Sequence, residues 1–463
     1  MIMPAFDPKK FRKKYAGVLG MGKSGQSVAR LLAKKGFRVL GSDARARGEL
    51  KKAVKGLPAK VSLEGGGHSD RLLKCSFVVK SPGLKPDLPI LKKLADKKIP
   101  VYSELEIALA FSKAKGIVAI TGTNGKSTTT ALTYEIFKAG LPRGRKAILG
   151  GNIGVPISTT APAAKATDVL VIECSSYQLE DSSHFEPRAA AVLNLTADHL
   201  DHHGTMEAYV AAKAKVFREQ GPGDACVFNA DDPIAYKMSR DCPSERLYFG
   251  AKAKHVHAWE EGGKLYFKLP RWKKEAKLLP PKLPGRHNIE NALAAGLLAF
   301  ARGIKPAAVQ KALKAFKGVE HRLEECGNVR SVRCVNDSKA TNVDSTLVAL
   351  KSFPADKKNI MLILGGLHKG FSYAPLKPWI EKTVKGIFTI GTAARRIDED
   401  LSGLVPIFPC AELPVAVDTA LRVAAKGDVL LLSPACASFD QFADFEDRGR
   451  RFKALVAAAA KAR

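Results

Sequence analysis

The stretch Val118-Ala-Ile-Thr-Gly122-Thr-Asn-Gly125-Lys126-Ser127-Thr128 decides how this chain is read. An apolar run stops at a glycine-rich turn, and Lys, Ser and Thr then open a helical pattern from Thr129 to Ala139. Glycines let backbone N–H groups close on phosphate oxygens, a helix N-terminus adds positive potential, and the lysine neutralises charge. A Ser or Thr hydroxyl at this place can ligate Mg²⁺. The common phosphate-loop pattern has a glycine five positions before Gly125, where Ile120 stands, so this loop is a shortened variant.

Working outward, apolar runs alternate with helical stretches, which predicts parallel α/β architecture. Upstream, Gly20-Met-Gly22-Lys-Ser-Gly25 fits G-x-G-x-x-G between a strand and a helix, and Asp43 follows the second strand. A diphosphate can approach Gly22, Lys23 and Ser24, while Asp43 can accept from a ribose or a base. Alone, this block also fits an NAD-dependent oxidoreductase. Downstream, Glu173 ends the apolar run Asp168–Glu173. Ligands gather at such carboxyl ends, where a carboxylate can hold Mg²⁺. A second run, Ala189–Asn194, leads into a segment with His199, His202 and His203. One histidine is expected at a metal and phosphate, and the others on the surface. The segment Cys242–Pro284, with glycines at 262 and 263, reads as a β-rich insert between a helix at Met206–Arg218 and one at Asn288–Arg302. Further strands are expected at Asn359–Leu364, Gly386–Ile390 and Asp428–Leu432.

The 463 residues suffice for about three domains. Boundaries fall near 104 and 318, giving 1–104, 105–317 and 318–463. A hydrophobic share of 46% and a charged share of 26% describe a soluble globular protein. Met1–Tyr15 is basic without the apolar core of a signal peptide, and no run is long enough for a membrane span, so a cytoplasmic protein is expected. The eight cysteines form no C-x-x-C pair and read as reduced thiols. The net charge is +30, and residues 1–115 alone hold 26 Lys/Arg against 9 Asp/Glu. The lysines are dispersed without interleaved aromatics, which reads as a solvated surface and not as a specific nucleic-acid site.

Assembled, the motifs TGTNGKST (121–128), GGNIG (150–154), ECSSYQLE (173–180), ADHLDHHG (197–204), YVAAKAKVF (209–217), GRHNIENALAA (285–295), EHRLE (320–324), NDSKATN (336–342), GGLHKG (365–370) and SPACASFDQF (433–442) resemble the Mur ligases over nearly the whole length. The last motifs, NDSKATN above all, are similar to the glutamate-adding branch. The resemblance implies a Rossmann-like N-terminal domain for a UDP-substrate, a central P-loop ATPase-type α/β domain, and a Rossmann-like C-terminal domain for glutamate. It implies an ATP-dependent amide ligase, acting with Mg²⁺, that adds D-glutamate to UDP-N-acetylmuramoyl-L-alanine in peptidoglycan synthesis. Addition of L-glutamate to the same acceptor stays open. A monomer is expected, with small molecules as its partners.

Residue by residue, the resemblance implies ATP contacts at Gly122, Thr123, Asn124, Gly125, Lys126, Ser127 and Thr128, with Asn288 and Asn291 near adenine and Arg322 and Asp337 closing over the nucleotide. Ser127 or Thr128 with Glu173 would hold one Mg²⁺, and His199 with a carbamylated Lys213 a second. Composition alone makes Lys213 an ordinary solvent-facing helical lysine. The nucleotide-sugar would meet Gly22, Lys23, Ser24, Asp43, Ala44, Arg45 and Gly83, and its sugar–alanine end Asn152, Ser175 and Gln178. Glutamate would meet Thr341, Lys369, Ser438 and Phe445. Lys126, Glu173, His199 and Lys213 are the residues implied for catalysis.

Overall fold

Three sheets are built from runs of Val, Ile, Leu and Ala, as sheets covered on both faces require. The computed structural model describes residues 5–11, 15–54, 56–368 and 370–461, without the side chain of Asp201. The expected Lys369 site therefore lies outside the described residues. The chain divides into two units, Met1–Pro281 with Ile289–Phe316, and Lys282–Asn288 with Lys317–Arg463.

The first unit carries two sheets. In the first, strands Tyr15–Leu19, Arg38–Asp43, Val61–Gly65, Phe77–Lys80 and Val101–Ser103 are all parallel, with Tyr15–Leu19 between Arg38–Asp43 and Phe77–Lys80. Connections leave this central pair in opposite directions, so a crevice opens at their carboxyl ends. Gly20 and the turn Ser81–Gly83 stand there.

The second sheet has nine strands. Its centre is Gly116–Thr121, flanked by Val169–Glu173 and Ala189–Val192, all three parallel. Strands Val118–Thr121, Val169–Glu173 and Ala189–Val192 are buried throughout. The segment expected as an insert instead widens this sheet. Strand Glu245–Phe249 pairs in parallel with Ala225–Asn229, and Ala258–Glu261, Lys264–Phe267 and Ala276–Leu278 continue the edge, the last three antiparallel. Gly262 and Gly263 both have positive φ (58° and 72°), the backbone a two-residue hairpin needs.

The second unit has a six-stranded sheet in which Val332–Asn336, Val429–Leu432 and Ile360–Gly365 lie side by side and parallel. The motifs NDSKATN, SPACASFDQF and GGLHKG each follow one of these three strands, so neighbouring carboxyl ends present all three. Tyr373, Leu376, Ile380, Ile387 and Leu431 form part of the core on one face, and Phe388, Leu430, Phe452 and Val456 part of it on the other.

Candidate functional site

The loop between strand Gly116–Thr121 and helix Lys126–Gly140 is built on its glycines. Gly122 has φ +146°, and a Cβ there would stand 3.0 Å from the Leu193 Cβ. Gly125 has φ +83°, and its Cβ would come within 2.4 Å of the Asn291 Oδ1. Neither position accepts another residue without movement. Asn194 cradles the loop: its Oδ1 accepts the Asn124 N–H at 2.7 Å, its Nδ2 donates to the Asn124 carbonyl at 3.1 Å, and its carbonyl accepts the Thr123 N–H. The Thr123 hydroxyl pairs with the Tyr209 hydroxyl at 2.9 Å. Asn194 and Tyr209 were not singled out in the sequence. A polar residue after a buried strand was the available signal for the first, and nothing distinguished the second.

Two lysines converge on one carbonyl. Lys126 Nζ donates to the Gly122 oxygen at 2.9 Å and to that of Thr123 at 2.6 Å, and Lys213 Nζ donates to the same Gly122 oxygen at 2.8 Å. Lys213 is 1% exposed, which overturns the solvent-facing reading from composition. Its helix, Met206–Ala214, is shorter than the run Met206–Arg218, because i→i+3 bonds from Val216 to Lys213 and from Phe217 to Ala214 tighten the chain into turns. The Lys213 amine also lies 4.7 Å from the centre of the Tyr209 ring. Burial first, and then the neighbouring Lys126 charge, holds it well below the ordinary lysine range.

Glu173 ends strand Val169–Glu173 and is 1% exposed. Its Oε1 accepts from Asn152 Nδ2 at 2.9 Å, and its carbonyl from the Asn152 N–H. Ser127 and Thr128 are buried in the first turn of the loop helix. His199 caps the short helix Leu200–His203 in a left-handed conformation (φ 56°), with Nδ1 2.8 Å from the Tyr177 hydroxyl. His202 and His203, expected on the surface, have side chains only 4% and 1% exposed. Their partners are Glu180, and for His203 also Ser176. Ser175 opens helix Ser176–Glu180 through a reciprocal cap with Gln178: the Ser175 hydroxyl accepts the Gln178 N–H, and Gln178 Oε1 accepts the Ser175 N–H at 3.0 Å.

In the first sheet, Gly22 is the N-cap of helix Lys23–Lys34, with Lys23 exposed and Ser24 half-buried in its first turn. A Cβ on Gly25 would lie 1.8 Å from the Gly20 carbonyl, so only glycine lets helix and strand approach this closely. Asp43 takes the Arg45 guanidinium as a fork, Nε to Oδ1 and Nη2 to Oδ2, both at 2.8 Å, and accepts the Met21 N–H at 2.7 Å. The Arg45 bonds hold its carboxyl far below the usual carboxylate range. Ala44 is exposed beside them, and Gly83 turns with φ +90°.

Asn291 is buried with Oδ1 accepting from the Thr129 hydroxyl, while Asn288, on the same helix Arg286–Ala301, donates to the Pro284 carbonyl. In the second unit, Asp337 is fully buried, accepting from the Leu323 N–H and, at 2.8 Å, from the Ser433 hydroxyl. Burial pushes its pKa up to about 6 despite the nearby Arg322 charge. Thr341 lies in the loop after strand Val332–Asn336, Ser438 is buried, and Phe445 starts helix Phe445–Lys461 with its carbonyl accepting from the Ser338 hydroxyl. Sequence reading missed Arg448. This fully buried guanidinium donates to the Ser338 hydroxyl (3.0 Å) and to the carbonyls of Ser338 (2.8 Å), Cys436 (3.1 Å) and Ala437 (3.4 Å), tying NDSKATN to SPACASFDQF.

A dinucleotide-type crevice, a shortened phosphate loop with a buried lysine beside it, and a third, largely parallel sheet accord with the Mur ligase family, to which the chain belongs. Family models match as "Mur ligase MurD-like, N-terminal domain" at 14–103, "Mur ligase middle domain" at 120–299 and "Mur ligase, glutamate ligase domain" at 321–436. The chain is 44% identical to the UDP-N-acetylmuramoylalanine–D-glutamate ligase of Elusimicrobium minutum, over 97% of this chain and 99% of that one. The ligase of the same name from Anaeromyxobacter dehalogenans is also 44% identical, over 95% and 96%. Among solved structures, the UDP-N-acetylmuramate–alanine ligase of Thermotoga maritima shares the fold with a TM-score of 0.61 and 21% identity, covering 96% of this chain and all of that one. The Thermotoga maritima MurF ligase, solved in complex with ADP, aligns with a TM-score of 0.59 and 18% identity over 98% and 97%.

Proposed function

We propose that the protein is an ATP-dependent ligase that joins D-glutamate to UDP-N-acetylmuramoyl-L-alanine through an acyl phosphate, in the cytoplasm, as a step of peptidoglycan synthesis. Full-length likeness to ligases named for that reaction supports the reading. The observation that carries it is the meeting of Lys126 and Lys213 on the Gly122 carbonyl of the phosphate loop. Segments 1–104, 105–317 and 318–463 would serve the nucleotide-sugar, ATP and glutamate respectively.

A carboxylate is a poor electrophile. Transfer of the γ-phosphoryl group to the alanyl carboxylate supplies a leaving group, and attack by the glutamate amine then forms the amide and releases phosphate. Positioning and charge neutralisation dominate phosphoryl transfer. Lys126 would neutralise the β- and γ-phosphates, and the N–H groups at the start of helix Lys126–Gly140 would line them. Bound Mg²⁺ would supply further neutralisation of the transferring group. The buried Glu173 carboxylate and the Ser127 and Thr128 hydroxyls are the hard oxygen donors such an ion takes. His199 and Lys213 would hold a second ion. An ammonium cannot ligate a cation, but burial favours the neutral Lys213 amine, which can add to CO₂, lose a proton and present an anionic carbamate oxygen.

Gly22, Lys23 and Ser24 would take the diphosphate, and Asp43, Ala44, Arg45 and Gly83 the uridine. Asn152, Ser175 and Gln178 would take the sugar–alanine end. Asn288, Asn291, Arg322 and Asp337 would complete the ATP site, and Thr341, Lys369, Ser438 and Phe445 the glutamate site. The test is ADP release with the alanyl nucleotide-sugar while D-glutamate, L-glutamate and other amino acids are offered in turn. Turnover with D-glutamate alone supports the reading, and turnover only with another amino acid refutes it.

A further inference from the structure

We propose that Lys80 and Glu180 are positioning residues that couple the nucleotide-sugar loop of the first sheet to the His199 segment of the central sheet, an inference that rests on the function given above. Lys80 closes strand Phe77–Lys80 and is 2% exposed. The next residue, Ser81, donates its hydroxyl to the Gly20 carbonyl at 2.7 Å, at the first glycine of the diphosphate loop. The Lys80 amine points the other way, out of its own sheet. It meets Asp181 Oδ2 at 2.7 Å and Glu180 Oε2 at 3.8 Å, at the end of helix Ser176–Glu180.

Glu180 passes the connection on. Its Oε2 lies 2.8 Å from His202 Nε2 and its Oε1 3.5 Å from His203 Nδ1. The far nitrogen of His203 is held by the Ser176 hydroxyl at 2.9 Å, and Tyr177 of the same helix holds His199 Nδ1. The Lys215 amine donates to the Glu180 carbonyl, securing the helix end from a second side. Helix Leu200–His203 is therefore fastened through three residues of one five-residue helix, Ser176, Tyr177 and Glu180, and that helix is fastened to the first sheet by Lys80.

Chemistry marks these links as more than packing. A buried ammonium persists only when paired, and an apolar side chain would fill the same space at lower cost. His199 holds a left-handed backbone (φ 56°), uncommon for a residue other than glycine. Its ring is held by Tyr177 on the helix that Lys80 fastens, so a displacement of the Ser81–Gly20 junction reaches His199 through the Lys80–Asp181 salt bridge, one helical turn and the Tyr177–His199 hydrogen bond.

The test is hydrogen exchange of segment 198–204 with and without UDP, which carries the diphosphate but no sugar or alanine. The expected result is that UDP slows exchange of this segment in the wild-type protein and does not in Glu180→Gln. The paired variant Lys80→Met with Asp181→Leu, which removes both charges and strands neither, should lose the effect as well. In both, kcat should fall about ten-fold, the low end of the loss when support behind a ligand is removed, because these residues stand one contact further out than Tyr177, with the KM for ATP unchanged. Equal UDP protection in wild type and variants, or none in the wild type, overturns the proposal. Failure of the functional reading would appear separately, as a wild-type protein that releases no ADP while the exchange result still stands.

Discussion

Lys213→Met separates a catalytic lysine from a structural one. Methionine matches the length of the lysine stem and suits a site 1% exposed to solvent. The change removes the 2.8 Å bond from Nζ to the Gly122 carbonyl and a weaker 3.4 Å one to the Thr121 hydroxyl, yet the carbonyl keeps Lys126 at 2.9 Å and the hydroxyl still donates to the Cys174 carbonyl at 2.9 Å. The stability cost should stay below about 1 kcal/mol, a shift of about 2 °C or less in Tm for a chain of this size. Removing an amine that burial and Lys126 already disfavour in its charged form offsets part of that cost. Catalysis should suffer far more. If Lys213 carries the carbamate proposed to hold a second Mg²⁺, its loss removes that ion's neutralisation of the transferring phosphoryl and should cost about 3 kcal/mol, roughly a hundred-fold in kcat. The assays are coupled ADP release at saturating Mg²⁺ and thermal unfolding of the same preparation. A variant with kcat close to wild type, or one that loses activity only because it no longer folds, refutes the reasoning.

Glu173→Gln should abolish turnover with Tm nearly unchanged, because the amide oxygen can still accept from Asn152; steady-state kinetics beside a melting curve check it. Gly25→Ala would drive a Cβ to 1.8 Å from the Gly20 carbonyl, and urea unfolding should show a loss of about 3 kcal/mol with weakened UDP binding. Arg448→Met leaves the Ser338, Cys436 and Ala437 carbonyls without this donor, so unfolding should record a loss of about 3 kcal/mol. For Asp337, the folded carboxyl stays protonated up to about pH 6 while the unfolded one ionises near 3.8, so its contribution to stability is present below pH 4 and lost as the pH rises to 6. Asp337→Asn should therefore be more stable than wild type at pH 7 by about 2–3 kcal/mol, and lose that advantage at pH 4, by denaturant titration at the two pH values.

Motifs that follow buried strands were legible because local pattern and chemistry coincide there. TGTNGKST carries its own strand, turn and helix signals, and the structure places Gly122 and Gly125 where positive φ and close approach demand glycine. Burial that comes from tertiary placement was not legible in local pattern. Lys213 sits in a run of Ala and Lys that reads as a wet helix face, and only packing beneath Tyr209 and the phosphate loop buries it. His202 and His203 looked like surface residues because their partner Glu180 lies more than twenty positions away. Arg448 belongs to a charge-rich helix whose other arginines, Arg450 and Arg451, face solvent, and nothing local marks the one turned inward. The run after Cys242 suggested a separate insert because strand content is readable in sequence, whereas the sheet a strand joins is not.

The account stands on ATP activating the substrate carboxylate as an acyl phosphate. Ligation with the alanyl carboxylate of the nucleotide-sugar labelled with ¹⁸O in both oxygens tests this directly, by mass analysis of the phosphate released. One ¹⁸O per phosphate is the result expected, since the oxygen that accepts the phosphoryl group leaves with it when the amine attacks. Unlabelled phosphate accompanying labelled amide product would contradict the account.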